Sequence, residues 1–234
     1  MLYLQREGKL LEHLFSAHDK QTIAHSHLFE DMPINQQDTL LACLHAKKKS
    51  YRKDETVLRA GDKVAEVGIV LTGGVNITKD DFEGNRSILS KAGPGAMFAE
   101  AFVCSNADTL PVSVISTEKT EILFIDYKRI VTVCSSACDF HNRLINNMMS
   151  ILAHKNVMLT EKVEHTGKRT TKEKLLSYLS TRAIKSGNST FDIPFNRQEL
   201  ADYLGVDRSA MSAELCKLRD AHILSFERNH FTLY

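Results

Sequence analysis

The residues whose side chains are best suited to binding a ligand lie between positions 197 and 216 of the chain. Arg197 and Arg208 carry guanidinium groups, which bind phosphate and the paired O6 and N7 acceptors of guanine. Ser209 and Ser212 add hydroxyl groups one and four positions after Arg208, so these side chains share one side of a helix. Together they form a surface that can donate hydrogen bonds to nucleic acid.

Two short helices joined by a tight turn would position these side chains. Asn196 and Glu199 form a capping pair for the first helix, and Gly205 supplies the left-handed residue that ends it. Asp207 then caps a second helix. The pattern predicts a helix-turn-helix that presents its second helix to the DNA major groove, and the alternative is an ordinary helical hairpin in an all-α core. The buried stripe of the second helix would consist of Met211, Leu215 and Leu218.

Residues 47–127 have a different pattern, with short apolar strands separated by turns. Apolar residues alternate with other residues along the strands, as at Val67, Ile69 and Leu71. Strands of this length and spacing predict a small β-sandwich or roll. The predicted turns are Gly61-Asp62, Gly73-Gly74, Gly84-Asn85 and Gly93-Pro94-Gly95.

From about residue 136 to residue 162 the apolar period becomes helical. Steps of four and three residues form a stripe that suits a two-stranded coiled coil, and the alternative is a single helix packed on its own domain. Residues 164–170 follow as a predicted polar hinge, and Thr170 with Glu173 forms a capping box for the next helix. The predicted dimer interface consists of Leu144, Met148, Ile151, Lys155 and Met158, with Lys162 at its end.

The stretch from Asn196 to Leu224 resembles the winged helix-turn-helix of the CRP/FNR superfamily, named after the catabolite activator and the fumarate–nitrate regulator. Residues 197–208 are similar to the family's run Arg-Gln-Glu-Leu-Ala-x-x-Leu-Gly-Val-x-Arg. Upstream, residues 93–100 are similar to the family's Gly-Pro-Gly-x-x-Phe-Gly-Glu. The resemblance runs in consistent order over about residues 28 to 234.

This resemblance implies an α+β fold. An N-terminal β jelly-roll domain of the cyclic-nucleotide-binding type would be followed by a long central dimerisation helix and a C-terminal winged helix-turn-helix. The expected parts are an effector-binding jelly roll at 28–133, a dimerisation helix and hinge at 134–164, and a DNA-binding domain at 165–234. Residues 1–27 lie mostly outside the resemblance, and their own pattern predicts a helical extension around Leu10, Leu11, Leu14 and Phe15.

For the DNA surface, the resemblance implies two sets of contacts. The acidic and basic readers that often follow the base-reading Arg in the catabolite activator are replaced here by Ser209 and Ala213, and Glu214 stands where an apolar residue usually packs. We therefore expect an operator that differs from the consensus of either well-known branch. The expected base contacts are Arg208, Ser209, Ser212 and Ala213. The expected phosphate contacts are Asn196, Arg197, Gln198 and Asp207.

The predicted effector pocket comprises Ala99, Glu100, Ala101, Leu110 and Pro111. In relatives that bind cyclic AMP, an Arg followed by Ser or Thr clamps the cyclic phosphate, and those positions here are Leu110 and Pro111. Neither side chain can neutralise a phosphate. We therefore do not expect cyclic AMP to bind in the usual manner. Two alternatives remain for this pocket: it binds a less anionic small molecule, or the protein's own side chains fill it.

Redox and metal sensing depend on the cysteines. Residues 1–42 contain no Cys, so the N-terminal cysteine cluster of oxygen-sensing relatives is missing and no iron–sulfur cluster is expected. Cys134, Cys138 and His141 step by four and three residues and would share a helix face. They could bind a metal or form a reactive thiol pair, and they could equally be ordinary small buried residues. The sequence identifies no cofactor.

The charge of the chain limits the kind of partner. The formal charge is +1 at pH 7, which excludes a strongly basic protein that coats DNA without specificity. Residues 165–234 hold 11 Lys and Arg against 8 Asp and Glu, a local charge of +3 that suits phosphate. No apolar run reaches the length of about 18 residues that predicts a membrane span. Five cysteines without regular spacing indicate a reducing cytoplasm.

These observations predict a homodimeric transcription regulator, not an enzyme, that binds an inverted repeat in double-stranded DNA. RNA polymerase would be a partner if the protein activates transcription, and no membrane partner is expected. A cupin-like metal enzyme is disfavoured because residues 47–127 contain no His. The alternative is a cyclic-nucleotide-like sensor module that regulates a partner protein without binding DNA, but this alternative leaves the helix-turn-helix unexplained.

Overall fold

The structure of the chain is a computed structural model that describes residues 14–33, 37–80, 82–83, 86–105, 107–132 and 139–234. The chain divides into two compact units, Met1–Ala153 and His154–Tyr234. The division falls within a long helix, whereas the sequence placed the start of the DNA-binding domain at residue 165.

Among its described residues, the first unit contains eight strands and the helices around them. The strands are β1 (Lys47–Tyr51), β2 (Thr56–Leu58), β3 (Glu66–Thr72), β4 (Val75–Asp80), β5 (Arg86–Ala92), β6 (Met97–Phe98), β7 (Ser113–Ser116) and β8 (Thr120–Asp126). The helices are α1 (Ala17–Ala24), α2 (Gln37–Cys43), α3 (Glu100–Cys104), α4 (Tyr127–Val131) and the first part of α5 (Asp139–Thr166), and a 3-10 turn follows α1 at His27–Phe29.

The eight strands form two antiparallel sheets that pack as the predicted jelly roll. One sheet has the strand order β1-β8-β3-β6 and the other β2-β7-β4-β5. Along β3 the alternation sends Val67 and Ile69 to the outer face of the first sheet and Val70 to the space between the sheets. Gly73 adopts a φ of 76°, the positive value that its predicted turn requires. The turn predicted at residues 84–85 lies outside the described residues.

The N-terminal residues cover the outer face of the β1-β8-β3-β6 sheet. Phe15, Ile23 and Leu28 are buried in one hydrophobic core with the outward side chains of β3 and β8. From Phe15 onward, the predicted N-terminal extension is therefore part of the core of the first unit. Leu10 and Leu11, which also belong to that prediction, lie outside the described residues.

The long central helix is confirmed as α5, but its predicted dimer interface needs a correction. Leu144 and Met148 are 0% and 3% exposed and belong to the hydrophobic core of the first unit. Ile151 is half-buried against the same core. Assigning Leu144 and Met148 to the dimer interface was wrong, because the chain's own jelly-roll core already covers them. Of the other residues in that prediction, Lys155 is half-buried and Met158 is exposed.

The second unit is a winged helix-turn-helix. It contains the end of α5 followed by α6 (Thr171–Ser186), β9 (Thr190–Asp192), α7 (Arg197–Leu204), α8 (Arg208–Asp220), β10 (Leu224–Glu227) and β11 (His230–Leu233). The strands pair in the order β10-β11-β9. The three helices and the sheet share a core that includes Leu179, Leu200, Leu215 and Phe231.

Candidate nucleic-acid interface and sensor pocket

The first helix of the helix-turn-helix, α7, has the predicted start and end. Asn196 Oδ1 accepts a hydrogen bond from Glu199 N at 2.9 Å, and Glu199 Oε2 accepts one from Asn196 N at 3.0 Å. This capping box satisfies two backbone donors at the helix start. Gly205 ends α7 with a φ of 60°, and Leu200 and Leu204 are buried. The local sequence therefore fixes the direction in which the chain enters the turn.

Asp207 holds the start of the second helix, α8. Its Oδ1 atom accepts a hydrogen bond from Ala210 N at 2.8 Å, as the capping pattern predicted. A carboxylate in this position repels phosphate. The structure gives Asp207 a capping role, and its sequence-based assignment to phosphate binding has no support in this geometry.

The side of α8 that faces away from the core carries the predicted base-reading residues. Met211, Leu215 and Leu218 are buried on the opposite side. Ser212 donates its hydroxyl hydrogen to the Arg208 carbonyl oxygen at 2.9 Å, so the lone pairs of its oxygen stay available as acceptors. The outward side chains are Arg208, Ser209 and Ala213, which are exposed, and Ser212, which is half-exposed.

Two predicted phosphate-binding side chains lie at the start of α7. The Arg197 guanidinium stacks over the rings of Phe226 and Phe231, at 4.8 Å and 5.1 Å from the ring centroids. Burial lowers the pKa of Arg197, yet an Arg side chain keeps its charge at neutral pH. The stacking fixes the face of the guanidinium and leaves its edge to donate hydrogen bonds. Gln198 Nε2 donates to Asp202 Oδ1 at 2.9 Å along the same helix.

The wing is the β10–β11 hairpin, which turns at residues 228–229 as predicted. Arg228 is exposed at the turn in the left-handed conformation, with a φ of 53°. Asn229 Nδ2 donates to Ile193 O at 3.2 Å, and Ile193 N donates to Asn229 O at 2.9 Å. These two bonds tie the turn of the wing to the segment that follows β9.

The predicted effector pocket begins at the junction of β6 and α3. Ala99 precedes α3 with a φ of 68°, a left-handed conformation that costs an L-residue roughly 1–2 kcal/mol. The position corresponds to a Gly in the motif that this stretch resembles. Ala99 and Glu100 are buried, whereas Ala101 is exposed.

Leu110 and Pro111 lie in the segment before β7, and they do not form a phosphate clamp. Leu110 is buried, and its backbone is bonded to a neighbouring turn. Leu110 N donates a hydrogen bond to Asp62 O at 2.9 Å, and Leu110 O accepts one from Gly61 N at 2.8 Å. Pro111 is exposed. Neither residue offers a cation or a hydrogen-bond donor from its side chain, so a cyclic phosphate would gain no neutralising partner from them.

Aromatic rings occupy part of the space between the two sheets. Phe124 contacts Phe98 and Tyr51 in edge-to-face geometry, with centroid distances of 6.3 Å and 6.5 Å. A Cβ atom at Gly68 would lie 2.2 Å from Phe98 Cζ, so the ring packs directly on the backbone of β3. Lys49 Nζ lies 4.9 Å from the centroid of Phe124. The aromatic cluster itself is apolar and the exposed Lys49 lies beside it, whereas Glu100 of the predicted pocket is a buried acidic side chain.

The predicted redox or metal site consists of Cys134, Cys138 and His141. Cys134 and Cys138 are not among the described residues, and His141 is buried in the first turn of α5. Within the described ranges, no group of three or more His, Cys, Asp or Glu residues could hold a metal ion. The structure instead exposes Cys216 on the outward side of α8, one turn after Ala213. Cys216 follows Ala213 by three residues and is not among the expected base contacts.

A second stripe of α5 is open, displaced by one residue from the predicted dimer interface. Met149, Leu159 and Val163 are 62%, 61% and 68% exposed, Ile145 is half-buried, and Leu152 is half-buried because it packs partly against the core of the first unit. Spacing by four and three residues is that of a coiled-coil seam. We name this set the exposed stripe, and it consists of Ile145, Met149, Leu152, Asn156, Leu159 and Val163.

The predicted polar hinge differs from the structure at its first residues. Helix α5 continues to Thr166, and His165 is buried rather than solvated. His165 Nδ1 lies 2.9 Å from Ser177 Oγ, and the His165 ring meets Tyr178 edge-on with a centroid distance of 5.7 Å. Burial lowers the pKa of His165 and raises the pKa of Tyr178 to about 12. These contacts hold the end of α5 against α6 within the second unit.

Two domain families match the chain. The cyclic nucleotide-binding domain matches residues 48–137, and the Crp-like helix-turn-helix domain matches residues 173–233. Among curated relatives, the transcriptional activator protein FnrL of Cereibacter sphaeroides is 25% identical over 199 residues, which cover 76% of this chain and 73% of the relative. The cAMP-activated global transcriptional regulator CRP of Pasteurella multocida is 21% identical over 201 residues, which cover 81% of this chain and 91% of the relative.

Solved structures share the fold. CprK complexed with OCPA superposes with a TM-score of 0.61 at 15% identity, covering 82% of this chain and 88% of that chain. The c-di-GMP responsive global regulator CLP of Xanthomonas campestris superposes with a TM-score of 0.57 at 20% identity, covering 82% and 95%. At these identities the likeness establishes the fold alone. In the part of the chain that the structure describes, no helix has the length and apolar character needed to cross a membrane.

Proposed function

The chain belongs to the CRP/FNR superfamily of DNA-binding transcription regulators, and on that premise we propose that it is a homodimer that reads an inverted repeat in double-stranded DNA. Its relatives are regulators and not enzymes, and it has the same two kinds of domain, a cyclic nucleotide-binding-type sensor and a helix-turn-helix. We assign the first unit, including the segment from Phe15 onward, to sensing, the exposed part of α5 to dimerisation, and residues 165–234 to DNA binding.

The observation that carries the DNA-reading proposal is the outward side of α8. Its buried stripe fixes the helix on the core, so Arg208, Ser209 and Ser212 project to solvent from its first turns. In the major groove, the Arg208 guanidinium can donate two hydrogen bonds to one guanine, which discriminates against other bases by roughly 1–3 kcal/mol. Ser209, Ser212 and Ala213 then contact neighbouring base edges.

Phosphate contacts would set the register of this helix on the duplex. The start of α7 offers backbone N–H groups and the Arg197 guanidinium edge, with Asn196 and Gln198 beside it. Arg228 extends the cationic surface at the tip of the wing. Because a phosphate is common to every base pair, loss of Arg197 should weaken binding to all sequences alike.

We assign the dimer interface to the exposed stripe of α5. A continuous row of exposed apolar side chains such as Met149, Leu159 and Val163 indicates an interaction surface, and the heptad spacing favours a second copy of the same helix. Asn156 would face its own copy in the middle of the seam, where a buried Asn favours two strands in a single register. Ile151, Lys155 and Met158 lie outside this stripe.

The signal is proposed to be something other than cyclic AMP bound in the usual manner. Leu110 and Pro111 provide no phosphate partner, and the Phe98–Phe124–Tyr51 cluster supplies apolar surface between the sheets. Such a lining favours a small ligand of low charge, or no ligand at all. Binding would act by population shift, by favouring one arrangement of the two DNA-binding units of the dimer. If the regulator activates transcription, RNA polymerase is a further partner.

Selection of genomic fragments by the purified protein tests this function. We expect recovery of an inverted repeat whose half-sites lie roughly 34 Å apart, about one turn of DNA. Running the selection in reducing buffer and after mild oxidation tests for a thiol signal, and repeating it with Cys216→Ser separates Cys134 and Cys138 from the exposed Cys216. Failure to enrich any sequence, even with cell extract added, would contradict DNA reading and favour a sensor module that regulates a partner protein.

The variant Arg208→Ala locates the reading helix. We expect it to relax specificity at one base pair in each half-site, a loss of roughly 5- to 150-fold for the preferred base. Lys217→Ala, also exposed on α8, is the matched control and should keep the base preference of the parent protein. Unchanged binding of Arg208→Ala to operator and random DNA would show that α8 has been assigned wrongly.

A further inference from the structure

The residues of α8 that point most directly away from the core have short side chains with few hydrogen-bonding groups. Ser209, Ala213 and Cys216 follow each other at steps of four and three, and all three are exposed. They lie opposite Met211 and Leu215, which are buried. Ala213 ends in a methyl group, and the Cys216 thiol is only a weak donor and acceptor. Two of the three central positions therefore offer apolar contact rather than hydrogen bonds.

Two polar neighbours of these outward residues, Ser212 and Glu214, make contacts within the helix. Ser212 has already donated its hydroxyl hydrogen to the Arg208 carbonyl oxygen. Glu214 is half-buried and lies 3.4 Å from Lys217 Nζ, so it faces along the helix and not outward. Short side chains at the centre also allow the helix backbone to approach the floor of a groove more closely than an Arg or Glu would.

This inference rests on the proposed function, in which α8 lies in the major groove. We propose that Ala213 and Cys216 read thymine through its 5-methyl group. Thymine is the one base that presents a methyl group in the major groove, and small apolar side chains are the usual contacts for it. The half-site would then combine a guanine bound by Arg208 with one or two thymines recognised by contact alone.

Replacing single thymines by deoxyuridine isolates the methyl group, because the hydrogen-bonding atoms of the base stay the same. The probe is the inverted repeat recovered by selection, and fluorescence anisotropy gives the dissociation constant. At each contacted thymine, we expect removal of the methyl group to raise the dissociation constant about fourfold. This factor corresponds to the free energy of burying one methylene. Thymines in the flanks of the same probe are the internal control, with changes below about 1.5-fold.

Two variants assign the contacts to residues. In Ala213→Gly the deoxyuridine effect should disappear at one position, and in Cys216→Ser it should shrink at another. Circular dichroism melting verifies that each variant is folded, and Lys217→Ala should keep both effects. The inference is overturned if no deoxyuridine substitution weakens an otherwise specific complex, or if the effects persist in both variants. Wild-type protein that binds the probe no better than scrambled DNA would instead overturn the proposed function.

Discussion

Truncating Leu159 tests which side of α5 forms the dimer. Leu159 belongs to the exposed stripe and is 61% exposed. Burying a whole Leu side chain contributes roughly 2 kcal/mol, so covering this fraction contributes about 1.2 kcal/mol per copy and about 2.4 kcal/mol per dimer. Because Ala keeps a small part of that surface, Leu159→Ala should weaken the dimer by about 2 kcal/mol. This loss corresponds to a dissociation constant about 30-fold higher.

The matched control is the neighbouring Met158→Ala. Met158 is 53% exposed, but it lies about 100° away around the helix and belongs to the stripe that the sequence predicted. Sedimentation velocity over a concentration series measures both dissociation constants, and Met158→Ala should change the value by less than about threefold. If Met158→Ala weakened the dimer and Leu159→Ala did not, our assignment of the interface would be refuted.

Buried groups provide three further tests. Because burial depresses the pKa of His165, its contribution to stability is present above its unfolded value of about 6.5 and is lost as the pH falls through the lowered pKa. Urea unfolding between pH 7.5 and pH 5 should therefore show a smaller pH dependence for His165→Gln, and the same dependence as wild type for the exposed His154→Gln. Leu144→Ala should lower the unfolding free energy by about 2–5 kcal/mol through a core cavity, while folded protein still dimerises in sedimentation. Gly68→Ala should cost about 1–3 kcal/mol because the new methyl meets the Phe98 ring, and combining it with Phe98→Leu should recover part of that loss in thermal unfolding.

The helix-turn-helix was predictable because its determinants are local. The Asn196 and Asp207 caps, the Gly205 turn and the buried stripe all depend on residues a few positions apart, and each was confirmed. The same locality explains the missed Cys216. Its outward position follows from a spacing of three residues after Ala213, but a Cys is not a usual reader of bases.

The interface that we propose lies one residue away from the predicted one, because periodicity gives a helix an apolar face without saying what covers that face. Leu144 and Met148 have the spacing of a seam, yet the jelly roll of the same chain buries them. Which face of α5 is covered depends on how the N-terminal residues and the strands, distant in sequence, pack against the helix. The aromatic cluster around Phe124 depends on strand order in the same way, since Phe98 and Tyr51 are far from it in sequence. The burial of His165 was not predicted, because the residues next to it in the sequence are polar.

The claim that a symmetric dimer reads both halves of an inverted repeat is tested most directly by the spacing of the half-sites. Inserting about 5 base pairs between them rotates one half-site by half a turn of DNA. We expect a loss of roughly 100-fold in affinity, because the two DNA-binding units can no longer engage both half-sites at once. Equal affinity for the original and the lengthened site, with the protein a dimer in both complexes, would contradict it.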